Sequence, residues 1–317
     1  MSKPVLLTGI KPTGQLHIGN YFGAMRPKVA LQDEYKSYIF VPDYHALTSN
    51  HSQHHPEEVR AAIKHIVLGY LAVGIDPEKA VLYQQSHVPA HTELAWIFNC
   101  ITTMPYLMRA HAFKDAEAKN KEISVGVFGY PMLMAADILL YDAEVVPVGK
   151  DQQQHVEIAR DTAQKFNNLY GNIFTLPKAL IQEETGVVPG TDGRKMSKSY
   201  GNTIPLFGTK DDIVKAVMSI VTDSSGERPE NVYAIHKLVR SPEELEGIYD
   251  SNRGNYKALK EALIEDLDRY FAPIRTKYQE LEQDPNIVAQ VLEKGGAEAR
   301  EVSEAKMAKV RVAIGVA

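Results

Sequence analysis

Alternation constrains this chain before anything else does. Over the first 190 residues, short β-rich runs stand at 5–8 (VLLT), 37–41 (SYIFV), 80–83 (AVLY) and 144–148 (EVVPV). Stretches of helical character separate them, among them 56–73 and 90–100, with Pro56 suited to a first helical turn and Gly74 to a stop. Strand, helix, strand at this spacing calls for right-handed crossovers, so the strands should lie parallel in one sheet covered by helices. Beyond about residue 205 the strand signal fades. Thr209 before Lys-Asp-Asp and Ser241 before Pro-Glu-Glu read as capped helix starts, and longer helical stretches follow at about 255–281 and 284–312. The expectation is an α/β part followed by an all-helical part.

Composition excludes more than it assigns. No uninterrupted apolar run approaches the roughly 18 residues of a membrane span, and residues 1–9 hold too short an apolar core for a signal peptide. Cys100 is the only cysteine, which leaves neither an internal disulfide nor a cysteine metal cluster. The chain reads as cytoplasmic, with no membrane partner. Its net charge is −5, and residues 201–317 hold 16 of the 35 basic and 20 of the 40 acidic residues. Neither part is the basic body of a protein that grips nucleic acid chiefly through phosphates. Composition alone points to an enzyme of small molecules.

Two motifs carry chemistry. The first, GIKPTGQLHIGN at 9–20, follows the first strand directly. Gly9 and Gly14 permit a tight turn, Pro12 stiffens it, and Gly19 leaves room for a flat ligand against the backbone. His17 and Asn20 are three apart, so they face one way if a helix starts there. Donors at a helix start beyond a parallel strand suit a nucleotide's phosphates. The second, GRKMSKS at 193–199, follows the loop-like stretch 186–193 and sets two ammonium groups, Lys195 and Lys198, on a segment free to move. Such cations can neutralise a departing pyrophosphate. Taken singly, each motif has a plainer reading: a glycine-bearing βα turn and a solvated basic loop.

Taken together they say more. His-Ile-Gly-Asn at 17–20 resembles the His-Ile-Gly-His signature of class I aminoacyl-tRNA synthetases, and Lys-Met-Ser-Lys-Ser at 195–199 matches that class's second signature in full. Residues 9–24, 43–48 (DYHALT), 130–141 (YPMLMAADILLY) and 146–152 (VPVGKDQ) resemble the bacterial-type tryptophanyl-tRNA synthetases. The likeness spans nearly all of the first 200 residues; beyond them only helical character and 221–224 (VTDS) support it.

The resemblance implies a Rossmann-like catalytic domain over 1–200 and a helical domain over 201–317 that contacts the tRNA anticodon, its last helix able to pack back on the catalytic part. It places ATP on Lys11, Pro12, Thr13, Gly19, Asn20, Gly149, Asp151, Lys195, Met196, Ser197 and Lys198. It places tryptophan against Leu7, Gly9, His45, Met134, Asp137, Val146, Val148 and Gln152. His17, Asn20, Lys195 and Lys198 are the expected catalytic donors and cations. No general base and no resident metal are expected, and Mg²⁺ arrives with ATP because no dedicated carboxylate cage is evident. The implied partners are tRNA(Trp), L-tryptophan and a second copy of the chain in a homodimer, not DNA. Arg228, Lys237, Arg240, Arg253 and Lys257 are available basic residues for tRNA.

The residues of the 130–141 stretch read the same way. This helix is almost wholly apolar yet carries Asp137, and a buried carboxylate needs a partner or it protonates. With Met134 on the same face, it fits an indole by accepting its N–H while the thioether covers the ring. A carboxylate capping a neighbouring helix or paired to arginine is the plainer reading. Three positions depart from the family. Leu7 stands where an aromatic residue is expected, and Lys11 and Lys150 where Gln and Glu are usual. Trp96, in an apolar helix, is expected in the core, 51–55 (HSQHH) in a solvated loop, and Cys100 has no assigned role. The competing readings are a tyrosyl-tRNA synthetase, a nucleotidylyltransferase, and an idle paralogue that only binds tRNA or regulates.

Overall fold

A computed structural model describes residues 3–12, 14–48, 55–110, 113–114, 117, 123–181, 188–222 and 228–317. Five strands form one fully parallel sheet in the order β3-β2-β1-β4-β5. They are β1 (Val5–Gly9), β2 (Lys36–Val41), β3 (Ala80–Gln84), β4 (Val145–Val148) and β5 (Lys178–Ile181). The fifth was not read from the sequence; at KALI it is a four-residue strand on the sheet edge with no fully buried residue. The order reverses at β1, which pairs with β2 on one side and β4 on the other, so a crevice opens beyond the carboxyl ends of β1 and β4.

Helices cover both faces. The α-helices of seven residues or more are α1 (Pro56–Ala72), α2 (Ala90–Ile101), α3 (Val125–Leu139) and α4 (Gln153–Tyr170), followed by α5 (Lys210–Met218), α6 (Glu230–His236), α7 (Pro242–Ser251), α8 (Tyr256–Glu282) and α9 (Ile287–Ile314). The capped starts read from sequence are present. Thr209 and Ser241 each accept from the backbone of the residue three ahead, Asp212 and Glu244, whose carboxylates reach back to the cap N–H. Among the described residues no helix is long and apolar enough to cross a membrane.

The last helix, α9, lies across β3, the other edge strand. A Cβ on Gly295 would meet the Leu82 carbonyl oxygen at 2.0 Å, so only glycine allows this approach. Lys306 Nζ donates to Asp142 Oδ1 at 2.6 Å and to the Ile173 carbonyl at 2.9 Å, and Arg311 forks onto Glu93 at 2.8 and 2.6 Å. Covering the edge of β3 removes a template for unwanted pairing.

One core expectation fails. Trp96 is 71% exposed. Helix α2 buries Ala90, His91, Leu94, Ala95 and Phe98 against the sheet, and position 96 falls on the opposite face. The apolar run misled because it is longer than the face that packs. Cys100 is also exposed, and 51–54 lie outside the described residues.

Candidate active site

The crevice holds a cavity of about 430 Å³ at the carboxyl ends of β1 and β4. Leu7, Gly9, His45, Met134, Asp137, Val146, Val148 and Gln152 all line it, together with Lys11 and Gly149. Gln152 follows β4 in a short 3₁₀ turn, and Met134 and Asp137 stand one turn apart on α3. Residues scattered over 145 positions thus meet because parallel strands end side by side.

Asp137 is 2% exposed. Its Oδ1 accepts from Gln85 Nε2 at 2.7 Å and lies 2.6 Å from His91 Nδ1, while His91 Nε2 meets the Tyr141 hydroxyl at 3.0 Å. Among the described residues no arginine pairs with Asp137; its partners are Gln85 and His91. Gln85, wholly buried after β3, also accepts the His45 backbone N–H at 3.2 Å on Oε1. Gln85 therefore fixes two cavity residues at once. Sequence reasoning missed it, and missed His91, because neither lies in a recognisable motif.

Leu7 is buried beneath the cavity without a ring. The aromatic wall comes instead from Phe40 on β2, the register partner of Gly9. A Cβ on Gly9 would meet the Phe40 carbonyl oxygen at 2.6 Å and its ring at 3.2 Å, so glycine is required there. Phe40 stacks with Tyr83 and His91 at 5.7 and 6.1 Å. Lys28 also lines the cavity and was not anticipated. It is 6% exposed, contacts the Gly9 carbonyl and the Tyr70 hydroxyl at 3.4 and 3.3 Å, and burial pulls its ammonium down to about 7. Lys11 turns to the cavity and burial lowers its pKa, whereas Lys150 is exposed and is not among the lining residues.

The two signatures meet. His17 caps the short helix Ile18–Asn20, and its N–H donates to Asn20 Oδ1 at 3.1 Å. His17 Nδ1 is buried with no partner among the described residues. Burial and the nearby Lys198 charge push its pKa to about 4, so the imidazole is neutral at neutral pH. A Cβ on Gly19 would fall 2.9 Å from His17 Nδ1 and 3.3 Å from Met196 Cβ, so Met196 of the lysine loop packs on the first signature. Gly14, at φ +54°, lies under Lys198, whose Cδ would be 3.3 Å from a Cβ there. Pro12 is buried, Thr13 lies outside the described residues, and nothing is described of the Asp151 side chain.

Asn202 holds the lysine loop in shape. Its Oδ1 accepts the Ser197 N–H at 2.8 Å, and its Nδ2 donates to Asp192 Oδ1 at 2.6 Å and to the Lys195 carbonyl at 3.1 Å. The chain just beyond the loop then returns to the first signature: Ile18 N–H donates to the Ile204 carbonyl and Leu206 N–H to the Leu16 carbonyl, both at 3.0 Å. Lys195 and Lys198 remain exposed. In the helical part most of the basic residues available for tRNA are already paired: Arg228 to Glu230, Arg240 to buried Asp266, Arg253 to Asp250 and Lys257 to Glu261.

A parallel sheet open at its switch point, a helix start at the end of β1 and a lysine loop folded onto it define a nucleotide-binding catalytic fold. The family described as tRNA synthetases class I (W and Y) matches residues 2–282. A tryptophan–tRNA ligase of Fusobacterium nucleatum is 46% identical over 98% of this chain and 97% of its own length, and one of Rhodopirellula baltica is 44% identical over 96% and 98%. The crystal structure of a Campylobacter jejuni tryptophanyl-tRNA synthetase complexed with ADP and tryptophan superposes with a TM-score of 0.91 at 43% identity, covering 98% of this chain and 99% of that one. The chain belongs to the class I tRNA synthetases of the tryptophan and tyrosine branch.

Proposed function

We propose that this chain activates L-tryptophan with ATP and transfers it to the 3′ end of tRNA(Trp). One observation carries the reading: a largely apolar cavity holding the buried carboxylate Asp137 is lined also by Gly9, Ile10 and Lys11 of the first signature, the segment on which the lysine loop packs. Oδ1 of Asp137 accepts from Gln85 and lies 2.6 Å from His91 Nδ1, and in this reading the carboxylate also accepts the indole N–H. Met134, Val146, Val148 and Phe40 wall the ring, and His45 and Gln152 stand toward the polar end of the amino acid. The name of the Fusobacterium relative and the tryptophan in the Campylobacter structure support this choice over tyrosine.

In the first step a tryptophan carboxylate oxygen bonds to the α-phosphorus of ATP, and the bond from that phosphorus to the bridging oxygen breaks, releasing pyrophosphate. A ribose hydroxyl at the tRNA 3′ end then attacks the acyl carbon, and AMP leaves. In-line positioning and charge neutralisation carry the first step. Neutral His17 and the Asn20 amide donate to phosphate oxygens, Lys195 and Lys198 follow the pyrophosphate, and Lys11, Gly19, Gly149 and Met196 form the nucleotide bed. Mg²⁺ would arrive with ATP as part of the substrate. It supplies charge neutralisation on the phosphates.

Residues 201–317 form the tRNA-binding domain in this reading, and the working unit is a homodimer of this chain. Charging of unfractionated tRNA with labelled tryptophan tests the whole. The expected outcome is ATP-dependent label at the tRNA 3′ end, and none from labelled tyrosine; label from tyrosine alone contradicts the reading.

A further inference from the structure

His65 joins three elements that the reaction must keep together. It projects from α1, its Nε2 lies 3.2 Å from the backbone nitrogen of Leu16, and its Nδ1 lies 2.7 Å from the hydroxyl of Tyr278 on α8. A backbone N–H can only donate. Nε2 is therefore the acceptor, the ring proton sits on Nδ1, and Nδ1–H donates to the Tyr278 oxygen. The chemistry of Leu16 thus fixes both tautomer and charge.

The position of this bond gives it weight. Leu16 immediately precedes His17, and its carbonyl accepts from Leu206, just past the lysine loop, at 3.0 Å. One residue is thereby held on its N–H side by His65 and on its carbonyl side by the segment leaving the loop. The ring is seated edge-on against Phe207 and Tyr278 at 5.7 and 5.5 Å, and those two stack at 4.2 Å. Below, a Cβ on Gly69 would meet Leu16 Cδ1 at 2.5 Å and Phe207 Cε2 at 3.2 Å, so a larger residue there would push these two side chains aside. Lys198 from the loop and Glu282 from α8 are the charged groups that act on the ring; burial and Lys198 together keep its pKa low, which preserves the neutral form that accepts from Leu16.

We infer that His65 is a positioning residue for ATP: as a neutral, Nδ1-protonated ring it pins the first signature to α8 and so holds His17 and the lysine loop at the spacing that the triphosphate needs. It touches neither substrate; it acts through Leu16. The inference rests on the synthetase reading for its consequence in catalysis, but its geometry concerns ATP alone.

The test uses the full-length protein with His65→Phe, which keeps a ring and removes both bonds, His65→Gln, whose side-chain oxygen can accept from Leu16, and Tyr278→Phe. Affinities for a non-hydrolysable ATP analogue and for tryptophan are measured separately by calorimetry. His65→Phe is expected to weaken the ATP analogue about 10-fold, the effect of one buried N–H left unsatisfied, with tryptophan affinity unchanged. His65→Gln should recover most of that loss, and Tyr278→Phe should fall between. Nitrogen-15 spectra of the wild-type histidines should include the signal of a ring protonated on Nδ1 alone that is lost in both His65 variants while those of the other histidines stay. An Nε2-protonated or doubly protonated His65, equal losses for both ligands, or no recovery in His65→Gln overturns the inference. Wild-type protein that binds the ATP analogue but makes no adenylate would instead defeat the synthetase reading and leave the positioning role standing.

Discussion

Asn202→Ala removes the side chain that shapes the lysine loop while leaving both lysine side chains in place. Three hydrogen bonds go: to Ser197 N–H, to Asp192 Oδ1 and to the Lys195 carbonyl. At roughly 0.5–1.5 kcal/mol each, their sum has a ceiling of about 4.5 kcal/mol. Lys195 is exposed and Ser197 half-buried, so water replaces part of what is lost, and the lower end of about 1.5 kcal/mol applies. Spent on holding two cations ready for the leaving pyrophosphate, that energy corresponds to about a 10-fold fall in kcat. The assay is tryptophan-dependent exchange of labelled pyrophosphate into ATP, and the KM for tryptophan should not move because the cavity lies on other elements. Asn202→Asp sharpens the test. Oδ1 can still accept from Ser197, but a second carboxylate now stands in hydrogen-bond range of Asp192, whose own acidity depends first on the Asn202 amide. The aspartate variant should therefore be slower than the alanine variant. Wild-type kcat in Asn202→Ala, or an aspartate variant faster than alanine, refutes the role given to this side chain.

Other expectations follow from the same geometry. Lys198→Ala should slow adenylate formation by about 10²–10³-fold, typical of losing one preorganised charge contact, with tryptophan affinity little changed; unaltered pyrophosphate exchange removes Lys198 from the reaction. Asp137→Asn should weaken discrimination between tryptophan and phenylalanine, measured as the ratio of kcat/KM values, and a variant as selective as wild type shows that this carboxylate does not read the indole. His17 and His45 are held near pH 4 chiefly by burial, helped by Lys198 and Lys11 respectively. In the unfolded chain both titrate near 6.5, so it binds more protons than the native state between those values and stability falls as pH drops. The urea midpoint should accordingly be lower at about pH 5 than at about pH 7.5; a midpoint that rises on acidification contradicts the neutral assignment.

What the sequence made legible divides by range. Local patterns were clear: strand and helix alternation, the Thr209 and Ser241 caps, and the two signatures all depend on residues within a few positions of one another. The cavity residues were legible too, because strand ends carry sites in parallel sheets and the family likeness supplied their addresses. Gln85, His91, Asn202 and His65 were not. Each acts on a group far off in the chain or on backbone, and a single Gln, Asn or His carries no periodicity. Trp96 shows the converse: an apolar stretch indicates a helix that packs, but not which side chain faces away. Phe40 supplies the ring absent at Leu7 from the neighbouring strand, a substitution in space rather than in sequence. The net charge of −5 remains consistent with tRNA binding through a small local patch, since most helical-domain arginines already have carboxylate partners.

Pyrophosphate exchange run with tryptophan, with tyrosine and with no amino acid separates tryptophan activation from every competing reaction. Exchange is expected with tryptophan alone, because in the proposed pocket Asp137 reads an indole N–H. Exchange with tyrosine in preference to tryptophan, or exchange that needs no amino acid, contradicts it.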